Sequence, residues 1–308
     1  MKTMKWRAAI IGAGKVGTTL GRVLVEQGHA VECVISRTLA SARAGGKFIG
    51  CRTVSTDLAA IPPDVNVILI TTPHSAVADV ARGLSRLDRS YKGVAVCHAS
   101  GMLTAEVLGP LKEKGATVFS FHPLQTFPRS FSPKDILPNV RNIYYGVDGS
   151  AAGLKAAQGL AQALQGHLFR VPPEMRAFYH AACVVASNHL TTLFGVLAAM
   201  YRQIEPHGKN FLALFYPIIM ATISNVRATS PEEALTGPIA RGGVETVARH
   251  LDALAKYAPS AIPFYVALSQ ETVRLAAARK SLTPSQSDAM LQLLKSYTTT
   301  EGKKQVPS

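Results

Sequence analysis

Residues 10–17 read Ile-Ile-Gly-Ala-Gly-Lys-Val-Gly, a G-x-G-x-x-G that follows an apolar run and precedes a helical pattern. Such a turn presents backbone N–H groups and a helix N-terminus to an anion. Gly12 permits the tight turn, Gly14 lets the backbone approach a pyrophosphate, and Gly17 lets the helix pack on the strand. Ala13, Lys15 and Val16 complete the candidate phosphate site. The alternative is an ordinary glycine-rich turn with no ligand. About 20 residues on, a carboxylate would hydrogen-bond the ribose 2′-hydroxyl of NAD. Ser36, Arg37 and Thr38 stand there instead, with Arg43 a little further, while Glu32 lies at the far end of the same run. Two hydroxyls and a guanidinium suit a 2′-phosphate, which a carboxylate would repel. The pattern favours NADP over NAD, unless Arg37 is only an exposed turn residue.

Three more segments end apolar runs: Thr71-Thr72-Pro73-His74, His98-Ala99-Ser100-Gly101 and His122-Pro123-Leu124-Gln125. Ligands of open α/β sheets bind at the carboxyl edge, where all three would lie; singly, each is an ordinary turn or cap. Between Arg176 and Arg202 run 25 residues without a charge, long enough to span a bilayer. His180, Ser187, Asn188, His189, Thr191 and Thr192 make it too polar for a lipid-facing helix, and a buried core or interface helix is expected. At 100° per residue, His180, Ser187, Asn188 and Thr191 share one stripe. Such polar groups must be satisfied by a ligand or by neighbouring helices. Arg241, alone among small apolar residues in Thr236–Gly243, is placed either to fork onto a substrate carboxylate or to pair with Glu245 one turn on.

These residues need a frame. Val- and Ile-rich runs at Arg7–Ile11, Ala30–Ser36, Val65–Thr71, Gly93–His98, Ala116–His122, Asn142–Val147 and His167–Val171 read as strands. Several are apolar on both faces, as in a covered parallel sheet. Helical patterns occupy Gly17–Glu26, Ser75–Leu87 and Thr104–Lys114. From Pro172 the strand signal stops, and helices are predicted over Glu174–Ile204, Asn210–Thr229, Pro238–Tyr257, Ala261–Arg279 and Pro284–Ser296. The expected fold is α/β: an N-terminal doubly wound Rossmann-like sheet over 1–172, followed by an all-α C-terminal domain over 173–308.

With 47% hydrophobic and 17% charged residues, the 308-residue chain is not disordered. Its net charge of +14 has no run of five basic residues, and aromatic content is 7%, so nucleic-acid binding is not expected. Residues 1–172 carry +10 of that charge, in the half expected to hold a polyanionic cofactor. Cys33, Cys51, Cys97 and Cys183 show no paired spacing, so neither a metal nor disulfides are expected, and a cytoplasmic setting follows. The N-terminus lacks a signal-peptide pattern.

The chain resembles the Rossmann-like proteins with a DUF2520 C-terminal domain, within the wider group of pyrroline-5-carboxylate reductase, ketopantoate reductase and 6-phosphogluconate dehydrogenase-like enzymes. The resemblance rests on GAGKVG at Gly12–Gly17, HASG at His98–Gly101, HPLQTF at His122–Phe127, YHAACVVASN at Tyr179–Asn188 and TGPIARG at Thr236–Gly242. It implies an NADP-binding Rossmann domain, a helical domain through which a homodimer forms, and an oxidoreductase of unassigned substrate. Two departures stand out. The family's arginine motif commonly continues as R-G-D, whereas Gly243 follows Gly242. Related dehydrogenases use a helix-borne lysine as proton donor, and no lysine lies between Lys155 and Lys209.

The resulting expectation is NADPH-dependent reduction of a small carboxylate-bearing ketone or imine. His180 would be the general acid, Asn188 would hold the carbonyl or imine, Ser100 the polar end of the substrate, and Arg241 its carboxylate. Thr71, Thr72 and Pro73 join the cofactor set. The competing expectation is an NADP-binding sensor that has kept the fold without the chemistry. Neither a nucleic-acid nor a membrane partner is expected.

Overall fold

Period-two alternation along the strands feeds two cores at once. The computed structural model describes residues 5–297, and the chain forms two compact units, one ending at Asn188 and the other starting at His189. In the first, strands β1 (Arg7–Ile11), β2 (Ala30–Ile35), β3 (Val54–Ser55), β4 (Val67–Ile70), β5 (Ala95–His98) and β6 (Thr117–Ser120) form a parallel sheet in the order β3-β2-β1-β4-β5-β6. Ala8 and Ile10 of β1, with Val67 and Leu69 of β4, face one core; Ala9, Ile11, Ile68 and Ile70 face the other. Helices α1 (Lys15–Glu26), α2 (Leu39–Ile49), α3 (His74–Ser85), α4 (Gly109–Glu113), α5 (Pro133–Ile136), α6 (Ala151–Ala163) and α7 (Arg176–Val184) complete this unit. Leu20, Ile49 and Leu160 bring α1, α2 and α6 to the first core, and Val77, Ala81 and Leu84 bring α3 to the second.

The sheet is thus the expected doubly wound one, with three corrections. The runs near 142–147 and 167–171 form strands β8 (Tyr144–Val147) and β9 (His167–Arg170), but these pair with β7 (His122–Pro123) in a separate three-stranded sheet. Phe121 still donates its N–H to His98 in the main ladder; Pro123, lacking an N–H, cannot continue it. The helix expected over Thr104–Lys114 is a 3₁₀ turn at Ala105–Leu108 followed by the short α4, because Gly109-Pro110 interrupts the first turn. Helices α2, α5 and α6 are additions to the sequence reading.

Helix α2 carries part of the site. Thr38 caps its start by accepting from the Ser41 N–H, and Gly50 ends it in the left-handed region at φ 90°. Two glycines in mid-helix weaken the local signal, yet the packing requires them. A Cβ on Gly45 would stand 2.9 Å from Ala13 Cβ and Thr18 Cγ2.

The second unit is all-helical: α8 (Leu190–Ile204), α9 (Phe211–Ala228), α10 (Pro231–Ala234), α11 (Val244–Tyr257), α12 (Ile262–Ala278) and α13 (Pro284–Ser296). Val247, Leu251, Val266, Val273, Met290 and Leu294 centre its core. The helix expected from Pro238 starts only at Val244, since Gly242 takes φ 69° after a 3₁₀ turn at Ile239–Arg241. Helices α8 and α9 contain no buried residue, so of the two settings expected, core or interface, they do not form the core of this chain. Gly50→Ala should cost about 1–2 kcal/mol through its left-handed C-cap; chemical denaturation should show it, and an unchanged midpoint would refute the role given to that cap.

Candidate functional site

The strand order reverses between β1 and β4, and there the backbones come closest. Gly12 donates its N–H to Ile35 (2.8 Å), while the Thr71 hydroxyl donates to the Gly12 carbonyl (2.7 Å). Gly12 has φ 109°, and a Cβ on it would lie 2.8 Å from the Thr71 carbonyl carbon. A Cβ on Gly17 would collide with the Gly12 carbonyl oxygen, so this glycine lets α1 sit on β1. At Gly14 a Cβ would meet nothing within 4 Å, so the space beside it is open. Gly14 also caps α1 without a side-chain partner, and the first turn of α1 has no acidic residue. The helix start is therefore left for an outside anion.

A cleft of about 660 Å³ opens from this turn. Gly12, Ala13, Gly14, Ser36, Arg37, Thr38, Thr71, Thr72 and Pro73 line it as the sequence suggests, joined by Ser41, Thr56, Ser75 and Asp79. Lys15, Val16, Gly17 and Arg43 are not on its wall; Gly17 acts from beneath. The buried Thr72 hydroxyl has no partner among the described residues and belongs to a residue of this wall. Open space at Gly14, the uncapped α1, the Arg37 cation between two hydroxyls and this orphaned hydroxyl together fit a dinucleotide with a 2′-phosphate.

Along the same carboxyl edge, the ends of β5 and β6 lead to a denser cluster. His98 is fully buried; its Nδ1 accepts from the Ser100 N–H (3.2 Å) and its Nε2 pairs with the Thr104 carbonyl (3.0 Å). His122 Nδ1 lies 2.9 Å from the Tyr179 hydroxyl, and the His122 and His180 rings are 6.2 Å apart. Gly101 fits between them: a Cβ there would stand 2.9 Å from His122 Nε2 and 2.5 Å from His180 Cδ2.

Beneath lies a buried ion pair. Arg176 Nη1 is 3.3 Å from Asp148 Oδ2, both residues being at most 3% exposed. Asp148 also accepts from the Ala105 N–H (2.6 Å) and the Ser120 hydroxyl (2.5 Å), while Arg176 donates to the Ser100 (3.0 Å) and Gly146 (3.3 Å) carbonyls. Burial, with the Arg176 cation behind it, holds His122 down at about 4; burial also holds His98 at about 4 despite its Thr104 bond. Burial raises the Tyr179 phenol. All three are neutral at pH 7.

The structure thus brings His180 together with Gly101 and His122. Ser100 is first a scaffold: its hydroxyl accepts from the Met102 and Leu103 N–H groups. Asn188 is exposed within a π-helical turn at Val185–His189. Each hydrogen bond there reaches one residue further, so residues beyond are rotated by about 100° from straight-helix arithmetic; the expected single polar stripe is broken. Arg241 is exposed in the second unit, and Glu245 pairs with Arg249, not with it. Sequence reasoning passed over Arg176, Asp148 and Tyr179, because nothing in the chain links a strand-end aspartate to an arginine 28 residues later.

Residues 1–123 match the model of the Rossmann-like domain, and residues 143–272 match that of a domain of unknown function, DUF2520. No curated protein matches the sequence. Among solved structures, a Bacteroides fragilis protein described as a candidate NADP oxidoreductase is 23% identical, at TM-score 0.66, over 89% of this chain and 98% of its own. A Thermotoga maritima protein is 23% identical at TM-score 0.65, over 89% and 99%. The reductive aminase from Aspergillus terreus, in complex with NADPH and ethyl levulinate, is 16% identical at TM-score 0.62, over 93% and 99%. At these identities the likeness is one of fold.

The two depressed histidines set a pH dependence. Between their ordinary value of 6.5 and about 4, the unfolded chain binds protons that the folded chain refuses. Stability present above pH 6.5 is therefore lost as pH falls toward 4, on the order of 3 kcal/mol per histidine. Urea midpoints measured from pH 7 to 4.5 should fall steeply, and less steeply in His122→Gln; parallel curves would contradict the assignment.

Proposed function

We propose that this chain, a Rossmann-like domain followed by a DUF2520 domain, is an NADP-dependent oxidoreductase that reduces a small carboxylate-bearing ketone or imine. The observation that carries the reading is a dinucleotide cleft with Arg37 between Ser36 and Thr38, continued along one sheet edge by a histidine cluster. Fold likeness to a reductive aminase solved with NADPH supports it.

In this reading the α1 start and the Gly12–Gly14 backbone hold the pyrophosphate. Ser36, Arg37 and Thr38 hold the 2′-phosphate, and Thr71, Thr72 and Pro73 line the middle of the cleft. Bound NADPH supplies a hydride to the carbon of the C=O or C=N bond. A proton must reach the oxygen or nitrogen, giving an alcohol or amine. No lysine is available on α7 or α8, and His122 carries no spare proton near neutrality. His180, beside it, is left as the donor. The net positive charge of the first 172 residues, scattered rather than striped, draws in both the cofactor and an acidic substrate.

NADPH should bind at least tenfold more tightly than NADH, with Arg37→Ala removing most of the difference in a fluorescence titration. His180→Ala should lower turnover of small keto acids and cyclic imino acids by about 100-fold or more while leaving NADPH affinity intact. Tight NADPH binding by the wild type without turnover across that panel would favour the sensor instead.

We also propose a homodimer built on the exposed helices. Helices α8 and α9 leave Leu214, Ile218 and Ile204 at 62%, 65% and 76% exposure, more apolar surface than a soluble monomer ordinarily shows. Two stretches, Pro173–Ile204 and Phe211–Ala228, are long and apolar enough to cross a membrane. The polar groups between His180 and Thr192 favour a protein partner over lipid, in a cytoplasmic setting. Light scattering without detergent should give twice 32.8 kDa, and Ile218→Glu should shift it toward the monomer. A wild-type monomer, or one soluble only in detergent, would defeat this assembly.

A further inference from the structure

We infer that His122, oriented by the Tyr179 hydroxyl, donates a hydrogen bond from Nε2 to the carbonyl or imine group being reduced, opposite the proton donor His180. This role rests on the reductase reading above and adds a catalytic residue to it.

Three observations converge. The Tyr179 hydroxyl and His122 Nδ1 are 2.9 Å apart. One hydrogen occupies that bond; the Cys183 thiol also reaches the Tyr179 hydroxyl, but a phenol is the stronger donor and a neutral imidazole nitrogen a stronger acceptor than a thiol sulfur. The Arg176 guanidinium, 5.5 Å over the Tyr179 ring, strengthens the phenol as donor. With Nδ1 accepting, the imidazole proton must sit on Nε2. That atom faces Gly101, where any side chain would cap it: a Cβ would stand 2.9 Å away and would also press on His180. The bare Cα keeps both ring edges clear. The groups facing His122 are Arg176, Tyr179 and His180 from α7 and His98 from β5, with Asp148 engaged by Arg176. Its charged neighbour is thus a cation, and the imidazole stays a neutral donor. Such a donor stabilises negative charge developing on oxygen or nitrogen without releasing its proton. His122 and His180 then divide the work: one polarises, the other protonates.

The test has two arms on the full-length protein. In ¹⁵N-histidine-labelled protein with NADP⁺, the His122 ring should be neutral at pH 7 with its proton on Nε2, and Tyr179→Phe should admit the Nδ1–H form. In turnover of the keto-acid and cyclic imino-acid panel, His122→Leu should lower kcat by about 100-fold. His122→Gln, whose amide N–H₂ reaches close to the Nε2 position, should recover about tenfold of that, and Tyr179→Phe should lose about tenfold. NADPH affinity should be unchanged in all three. A proton on Nδ1, a doubly protonated ring at pH 7, or wild-type kcat in His122→Leu overturns the role of His122 alone. Absence of turnover by the wild type overturns the reductase reading and this role with it, whichever tautomer is seen.

Discussion

Arg176 and Asp148 leave water together, and their pairing ties the carboxyl ends of several elements into one piece. Two ions at most 3% exposed need most of their remaining hydrogen-bonding groups met. Ala105 and Ser120 donate to the Asp148 carboxylate, and the two Arg176 Nη groups donate to the Gly146 and Ser100 carbonyls, while Arg176 Nε has no partner among the described residues. The pair therefore fixes the β6 end, the β5 loop, the β8 end and the start of α7 at once. Its value lies in geometry more than in net stability, since a buried ion pair gains little over apolar packing. Removing either partner would strand a charge among the histidines.

The histidines owe their character to that arrangement. His98 and His122 sit near a cation and away from water, so both stay neutral where an exposed imidazole would titrate. His98 is spent on holding the Ser100 loop, and His122 is turned by Tyr179. His180 shares their neighbourhood from a half-buried position. The dinucleotide cleft follows a different rule, close backbone approach: Gly12 and Gly17 act by what they lack, since a methyl group at either would push β1, β4 and α1 apart. Gly45 extends the same constraint to α2.

Much of this was legible from residue order. The continuous Val- and Ile-rich runs of β1, β2, β4 and β5 mark strands covered on both faces, and the G-x-G-x-x-G declares the turn between β1 and α1. Ser36, Arg37 and Thr38 line the cleft that opens from that turn, because the end of β2 is a fixed distance along the chain from it. The helices after Pro172 were visible in composition, as were the limits of α13 at Pro284 and Ser296. Helix α2 was obscured because Gly45 and Gly46 depress helix propensity locally while serving contacts with Ala13, Thr18 and Val54.

What the residues determined alone was therefore everything governed by local period, cap chemistry and short spacing: the strands, most helices and the phosphate turn. Only the tertiary structure decided which polar groups share a site. The Arg176–Asp148 pair spans 28 residues and His122–Tyr179 spans 57, and no periodicity records such a meeting. The π-helical turn at Val185–His189 likewise undid an arc computed at a uniform 100° step. Residue types are carried by the sequence, but burial, tautomer and ionisation belong to neighbours brought together by folding, and those neighbours set the chemistry.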